Sequence, residues 1–288
     1  MPSQRQLKSR IRSVKNTKQI TKAMQMVAAS KMRRAQEATK LTTPYTQTAR
    51  EILAHLAQQG ETKDHPLFEE REVKNRLLIV VASDKGLAGA YNTNVSKQYI
   101  RELLADDTSG VKTSSIAIGR KVTQFATRVK NVELLGAYED LPDQLEGHEL
   151  RPALDTAYKL FTSGEVDVVD MVYTDFVNSV TQVAKTERLL PAGQIEVAEV
   201  NTPSEALFEP DAETVLESVV YRLVNAQLFQ AFLDARASEH SMRMLAMKNA
   251  TDNASDLIDD LTLAMNKARQ AAITQELAEI SGGAEAMK

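Results

Sequence analysis

The chain has 288 residues, of which 43% are hydrophobic and 26% are charged, and its formal net charge is -4. It has no cysteine, which excludes disulfides, thiolate nucleophiles and cysteine-ligated zinc, and its four histidines lack partners at a ligand-like spacing. The longest apolar run, 77–82, is far shorter than the roughly 20 residues of a membrane span, so we expect a soluble chain without a metal site.

Charge is distributed unevenly along the chain. Residues 1–40 carry eleven Lys and Arg against one acid, whereas residues 211–288 carry twelve acids against seven bases. Opposite signs favour pairing between these two segments, and the remaining basic turns favour an acidic partner.

The first predicted element is a helix over 4–36. Its apolar residues form one stripe of Leu7, Ile11 and Val14, followed by a second stripe of Ile20, Met24 and Val27. Because the step from Val14 to Ile20 is six residues instead of seven, we expect the apolar face to jump around the helix.

Pro44 lacks an amide hydrogen, so it predicts a kink or a restart of the helix, with Thr43 able to cap the new turn. The helical pattern then resumes through Ile52, Leu53 and Leu56, and Gly60 is expected to end it. At 1.5 Å per residue this segment would reach about 80 Å.

The middle of the chain alternates strand and helix patterns. Predicted strands lie at 77–81, 115–118, 132–135, 166–176 and 180–190, and predicted helices lie at 95–104, 122–127 and 150–161. This alternation predicts a small α/β domain with a mostly parallel sheet.

From Ala212 a helical pattern continues to Ile280, a length of about 100 Å, and Gly282 and Gly283 are expected to end it. Steps of three and four residues predict a thin coiled-coil strand, because its inner stripe is mostly alanine. The stripe is Met247, Ala250, Ala254, Leu257, Leu261, Ala264, Ala268, Ala271, Gln275 and Ala278.

The predicted fold class is α+α/β. A long antiparallel two-helix coiled coil, formed by the N- and C-terminal helices, carries a small Rossmann-like α/β domain at its base. The predicted segments are an N-terminal helix at 1–59, a connector at 60–75, the α/β domain at 76–192, a second connector at 193–210 and a C-terminal helix at 211–288.

The loop Ser83–Gly89 follows a strand and precedes a helix, as phosphate-binding loops do. It has no third glycine and no Gly-Lys-Ser/Thr ending, so we favour a tight turn over a nucleotide site. A nucleotide-binding α/β enzyme nevertheless stays an alternative.

The basic N-terminus admits three interpretations, which are a transit peptide, a nucleic-acid-binding coiled coil and a helix that contacts an acidic protein. The helical pattern continues past any cleavage point, and no aromatic residues are interleaved with Lys8, Arg12, Lys15, Lys18 and Lys22. We therefore favour the acidic protein partner.

Near the C-terminus, polar residues surround a few apolar ones. These polar residues either form the ordinary solvated face of a coiled coil or belong to a tip that another protein encloses. The second interpretation is supported by the apolar residues among them, because exposed apolar groups at the end of a long helix favour contact with a partner. The residues are Lys267, Arg269, Gln270, Thr274, Gln275 and Glu276, with Ile273, Leu277 and Ile280.

Three long segments together resemble the gamma subunit of F-type ATP synthases. They are Ile20–Met32, Met242–Asn253 and Asn266–Leu277, and the Ser83–Gly89 loop and the Leu207–Asp211 segment match as well. The resemblance extends over essentially the whole chain, and the chain has neither the cysteine nor the insertion of chloroplast members.

The resemblance implies a non-catalytic rotor shaft without a cofactor, which couples ion flow through a membrane c-ring to the catalytic sites of beta subunits. Its implied partners are three alpha and three beta subunits, the epsilon subunit and the c-ring, with one gamma copy per complex. Its implied location is peripheral, on the cytoplasmic face of the bacterial plasma membrane.

The resemblance also implies contact residues. Arg269 and Gln270 would face acidic catch loops of beta, with Thr274 and Glu276 in the same rotor–stator interface, and Met24 and Arg243 would lie lower on the shaft. The implied contacts at the foot, near epsilon and the c-ring, are Phe208, Glu209 and Pro210.

Overall fold

A computed structural model describes residues 3–58, 65–142, 147–192 and 212–286. Two long helices at the ends of the chain enclose an α/β segment in sequence, as predicted. In chain order the elements are α1 (Gln4–Gln58), β1 (Asn75–Val81), α2 (Tyr91–Ser109), β2 (Lys112–Ile118), α3 (Arg120–Ala126), β3 (Glu133–Tyr138), α4 (Arg151–Thr162), β4 (Val168–Phe176), β5 (Gln182–Leu190) and α5 (Ala212–Ala286).

The five strands form one sheet in the order β3-β2-β1-β4-β5. The first four strands run parallel, and β5 pairs antiparallel with β4 through a tight hairpin. Every strand and helix predicted between 76 and 192 is confirmed, with boundaries that differ by at most five residues.

Strand β1 lies at the centre of the sheet and is covered on both faces. Leu77, Ile79 and Val81 pack into one apolar cluster with residues of α1, α4 and α5. Leu78 and Val80 point to the opposite face, into a cluster with residues of α2 and α3. Because alternate side chains of a strand point to opposite faces, burial on both sides explains the continuous apolar run.

A charged network links the first residues of β1 to the neighbouring strand and to α2. The Arg76 guanidinium donates to Asp170 at 2.6 Å, to Asp106 at 2.9 Å and to Glu102 at 2.9 Å, and all four side chains are largely buried. Arg188 forms a further ion pair with Asp170. Arg76 therefore ties β1 to both β4 and α2.

The chain divides into two compact units, and each long helix contributes to both. Unit 1 comprises Met1–Ala29 and Arg243–Lys288, and unit 2 comprises Ser30–Met242. The division into five segments made from the sequence stays a prediction.

Helix α1 continues through Pro44, so the predicted restart is wrong. Thr43 does not cap a new helix, because its hydroxyl donates to the Thr39 carbonyl at 2.6 Å within the same helix. Thr42 also bonds Gln230 of α5 at 2.5 Å. Tertiary contacts with α5, such as this Thr42–Gln230 bond, offset the roughly 3 kcal/mol cost of a proline inside a helix.

Helix α5 also continues through Gly282 and Gly283 to Ala286, so the predicted glycine stop is wrong. Glycine disfavours a helix by about 1 kcal/mol relative to alanine, a cost that two residues in a long helix do not make decisive. The 75 residues of α5 correspond to about 110 Å.

Candidate functional site

In unit 1, one hydrogen bond between the two helices sets their alignment. The hydroxyls of Thr21 and Thr251 are 2.7 Å apart. In an antiparallel pair, Leu7 lies fourteen residues before Thr21, and Met265 lies fourteen after Thr251, so these two residues are level. By the same reasoning Ile11 is level with Leu261.

This alignment corrects the predicted inner stripe of α5. Leu257 is 46% exposed and Ala264 is also exposed, whereas Thr251 is buried and Ile258 and Met265 are half-buried. From Met247 the buried stripe therefore begins with a step of four residues, to Thr251, and not with the predicted step of three, to Ala250. The inner stripe is Met247, Thr251, Ala254, Ile258, Leu261, Met265 and Ala268.

The inner stripe of α1 also differs from the prediction. Leu7 and Ile11 are buried as expected, but the stripe then continues through Lys18 and Thr21 to Ala28 without a jump. Ile20 and Val27 are 60% and 57% exposed, so the predicted second stripe exists but faces outward. The six-residue step therefore marks two different faces of a regular helix. Met24, the third predicted member, is half-buried, and we call the exposed pair Ile20 and Val27 the outer stripe.

Beyond Ala268, α5 extends past the described start of α1. Gln4 lies seventeen residues before Thr21, and Ala268 lies seventeen after Thr251, so the two are level. From Arg269 to Gly282 every side-chain position is exposed. We call 269–282 the tip.

One face of the tip is apolar. Ile273, Leu277 and Ile280 are 48%, 63% and 69% exposed and follow each other at steps of four and three residues. At about 100° per residue, Arg269 and Gln270 lie at opposite edges of this apolar stripe. The tip therefore presents an apolar strip that is bordered by polar groups.

The remaining predicted contact residues are dispersed. Thr274 is exposed, and its hydroxyl donates to the Gln270 carbonyl at 2.9 Å, while Glu276 is exposed on the same helix. Met24 and Arg243 are half-buried in unit 1. Their roles stay predictions, and the segment Phe208, Glu209 and Pro210 lies outside the described residues.

The loop Ser83–Gly89 is held by its own neighbours. The Ser83 hydroxyl donates to the Lys85 carbonyl at 2.7 Å and lies 2.9 Å from the Asn92 amide oxygen. Gly89 has a φ of 56°, the left-handed conformation of a tight turn. The geometry matches the tight-turn interpretation.

The loop also contains a residue that the sequence did not single out. Asp84 Oδ1 accepts hydrogen bonds from the backbone amides of Arg120 at 3.0 Å and Asp140 at 3.1 Å. Asp84 thus joins the loops that follow β1, β2 and β3. No sequence signal marks it, because its partners are backbone groups distant along the chain.

A second overlooked carboxylate lies in unit 2. Burial of Asp234 on α5, together with the nearby Asp175 carboxylate, raises its pKa to about 6. Hydrogen bonding to Gln230 and the charge of Lys185 act in the opposite direction. Asp234 therefore changes its charge near pH 6.

The sequence matches the family described as ATP synthase over residues 3–287. ATP synthase gamma chains of Stenotrophomonas maltophilia (strain R551-3) and Cupriavidus necator are 42% and 43% identical, each over 100% of both chains. The chain belongs to the ATP synthase gamma family.

Solved structures show the same fold in this family. A chain of the Tetrahymena thermophila mitochondrial ATP synthase central stalk and c-ring is 25% identical, with a TM-score of 0.60, and covers 80% of this chain and 99% of that chain. A chain of the Euglena gracilis mitochondrial ATP synthase is 19% identical, with a TM-score of 0.72, and covers 99% and 94%.

The gamma chain is a non-catalytic subunit and the central rotor of ATP synthase, as its sequence motifs indicated. The predicted fold class of two long antiparallel helices with an α/β sheet is confirmed. The complex to which it belongs is membrane-associated. Within the described ranges, no helix of this gamma chain is both long and apolar enough to cross a bilayer.

Proposed function

We propose that the tip of α5 turns inside a ring of three alpha and three beta subunits. The observation that supports this most strongly is the apolar strip of the tip, which α1 does not cover and which needs an apolar partner in the assembled protein. A ring of larger subunits would enclose such a single helix on all sides.

Arg269 and Gln270 border the strip and supply directional contacts. A guanidinium forms charge-assisted hydrogen bonds with carboxylates, each contributing about 1.5–3 kcal/mol. We propose that these two side chains bind acidic catch loops of beta, with Thr274 and Glu276 in the same interface. Met24 and Arg243 would contact beta lower on the shaft.

Unequal faces would let the shaft hold three identical beta subunits in different states. Moving a two-state population from 1:99 to 99:1 requires about 5.5 kcal/mol of differential interaction. Two or three charge-assisted hydrogen bonds made to one beta subunit, and not to the others, reach this value. The outer stripe on α1 adds a second difference between faces, and it replaces the jump in the helix that the sequence predicted.

The foot of the shaft would contact the membrane rotor. We place Phe208, Glu209 and Pro210 near the epsilon subunit and the c-ring, with one gamma chain in each complex and no cofactor of its own. The complex would sit on the cytoplasmic face of the bacterial plasma membrane, which this gamma chain reaches only through its partners.

A double substitution of the tip tests the catch contacts. Arg269→Ala with Gln270→Ala should reduce coupled ATP turnover of the reconstituted complex about tenfold, because charge-assisted hydrogen bonds are lost. Lys267→Ala is the matched control, since Lys267 is exposed about 200° around the helix from Arg269. Unchanged turnover and torque in the double variant, measured on single molecules, would refute the catch assignment.

Assembly tests the partner set directly. The gamma chain alone should hydrolyse no ATP, and it should co-purify with alpha and beta subunits in a ratio of one to three to three. ATPase activity in the purified single chain, or recovery without both partners, would overturn the proposal.

A further inference from the structure

The sheet of unit 2 has the topology that binds ligands in other α/β proteins. From β1 the chain moves to β2 and β3 on one side and then crosses to β4 on the other side. In such sheets a crevice forms at the carboxyl ends of the two strands where the order reverses, here β1 and β4, and ligands bind there. The Ser83–Gly89 loop lies directly at this crevice, because it follows β1.

In this gamma chain the crevice holds part of α5. Ser238 donates to the carbonyl of Thr174, near the carboxyl end of β4, at 3.3 Å. One turn later, Ser241 donates to the Ser179 carbonyl in the β4–β5 hairpin at 2.7 Å. Within 231–241 nine of the eleven residues are buried, so the sheet and its loops enclose the helix there.

The loop after β1 reaches the same stretch of α5 through a charged contact. Arg236 of α5 lies 3.8 Å from Asp84 and donates to the Leu141 carbonyl at 3.0 Å. Its guanidinium packs over the Phe232 ring at 5.0 Å, which fixes its orientation along the helix. Both charged side chains are mostly buried.

Asp84 makes this contact rigid. Its other carboxylate oxygen is bonded to the backbone after β2 and β3, so a force on Arg236 is transferred to three strands of the sheet. Gly119 keeps the loops close, because a Cβ at this residue would lie 2.2 Å from the Ala82 carbonyl oxygen. The loops after β1 and β2 are therefore packed backbone against backbone.

We propose that Asp84 and Arg236 are positioning residues that fix the rotational angle of α5 relative to the sheet, so that torque passes between the α/β domain and the shaft. This inference rests on the proposed rotor function. Each serine restrains α5 through one neutral hydrogen bond. Arg236 extends further from the helix axis and is held by a charged partner on the sheet, so it resists rotation of α5 more strongly.

Asp84→Asn tests the proposal with little change in shape. The amide keeps an oxygen acceptor for the backbone bonds and removes the charge by which the sheet holds Arg236. The carboxylate of Glu239, which lies 3.5 Å from Arg236, stays in place, but it belongs to α5 itself and cannot tie the helix to the sheet. Arg120→Gln is the matched control, because Arg120 forms ion pairs with Glu139 and Asp140 on the same loops. The variants are compared in the reconstituted, membrane-embedded complex by ATP hydrolysis without load, by proton pumping per ATP and by stall torque.

We expect Asp84→Asn to retain hydrolysis and to lose pumping per ATP and stall torque severalfold, whereas Arg120→Gln retains all three. A reversible disulfide between α5 and the β4–β5 hairpin supplies a second test. Because this gamma chain has no cysteine, Ser179→Cys with Ser241→Cys introduces one thiol pair within it, at two residues that are already in contact. Oxidation of this pair in the Asp84→Asn background should restore pumping, and reduction should abolish it again.

The outcomes separate this inference from the rotor proposal. If Asp84→Asn pumps and resists load as the native complex does, the positioning role is wrong while the rotor function stands. If pumping falls but the crosslink does not restore it, the loss comes from disturbed loops and the inference is also overturned. Failure of the native chain to assemble with alpha and beta would instead refute the rotor proposal.

Discussion

Asp234→Asn should stabilise unit 2 at neutral pH. The carboxylate is mostly buried on α5, and burial together with the charge of Asp175 raises its pKa to about 6 from an ordinary value of 3.8. Asparagine has nearly the same shape but carries no charge, so it avoids the cost of burying the anion.

The magnitude follows from the pKa. A difference of about two units between folded and unfolded chains corresponds to about 3 kcal/mol, at 1.36 kcal/mol per unit. Because the folded pKa is the higher one, the contribution of Asp234 to stability is greatest below pH 4 and is lost as the pH rises through about 6. Asp234→Asn should therefore match the wild type at pH 4 and exceed it by up to about 3 kcal/mol at pH 8.

Tyrosine fluorescence isolates unit 2 in this assay. All seven tyrosines lie within Ser30–Met242 and the chain has no tryptophan, so urea unfolding followed by tyrosine emission reports this unit alone. Glu51→Gln, at an exposed acid of α1 in the same unit, is the control and should leave the pH profile unchanged. Equal pH profiles for wild type and Asp234→Asn would show that the folded structure does not raise the pKa of Asp234.

Three further substitutions, two of them paired with a control variant, test particular contacts. Arg76→Met should lower the unfolding free energy of unit 2 by about 3–5 kcal/mol, because it leaves buried carboxylates without their partner. If the network were solvated, the same tyrosine assay would show no loss of stability. Ile258→Ala should lower the helix content of unit 1, measured by circular dichroism during heating, more than Leu257→Ala does, and the opposite order would support the alanine-rich stripe. Gly119→Ala should be destabilising by more than about 2 kcal/mol, because its Cβ would meet the Ala82 carbonyl oxygen. Gly110→Ala should cost only about 1 kcal/mol, because its φ of 73° is unfavourable for alanine but no atom lies within 4 Å of the new Cβ. Equal thermal midpoints of the two variants would contradict the predicted close contact.

The sequence predicted the α/β unit well because its apolar runs face a core within the same chain. Strand β1 is apolar throughout since both faces of the sheet are covered by this chain's own helices. Local hydrophobic period and turn residues are sufficient information in that situation.

Prediction was weaker for the long helices. Steps from Met247 to Ala254 can pass through Ala250 or Thr251, and both choices satisfy a heptad. The facing helix decides between them, through the bond of Thr251 to Thr21, and this contact spans most of the chain. Periodicity within one helix contains no information about it.

The apolar residues of α1 misled the prediction for a second physical reason. Ile20 and Val27 are apolar but exposed in this chain, while Lys18 and Thr21 lie on the inner stripe. If partner subunits cover the outer stripe, its hydrophobicity is selected by the assembled complex. The hydropathy of one chain taken alone then places such residues in the wrong core.

The outer stripe has a consequence for friction during rotation. Hydrophobic attraction depends on the area removed from water and has little directional preference, unlike a hydrogen bond. If the surrounding subunits present an apolar surface to Ile20 and Val27, the interaction energy would change little with the rotational angle of the shaft. At this level the shaft would then rotate with little resistance. Any strong dependence of the energy on the angle would come from the few polar groups at its tip.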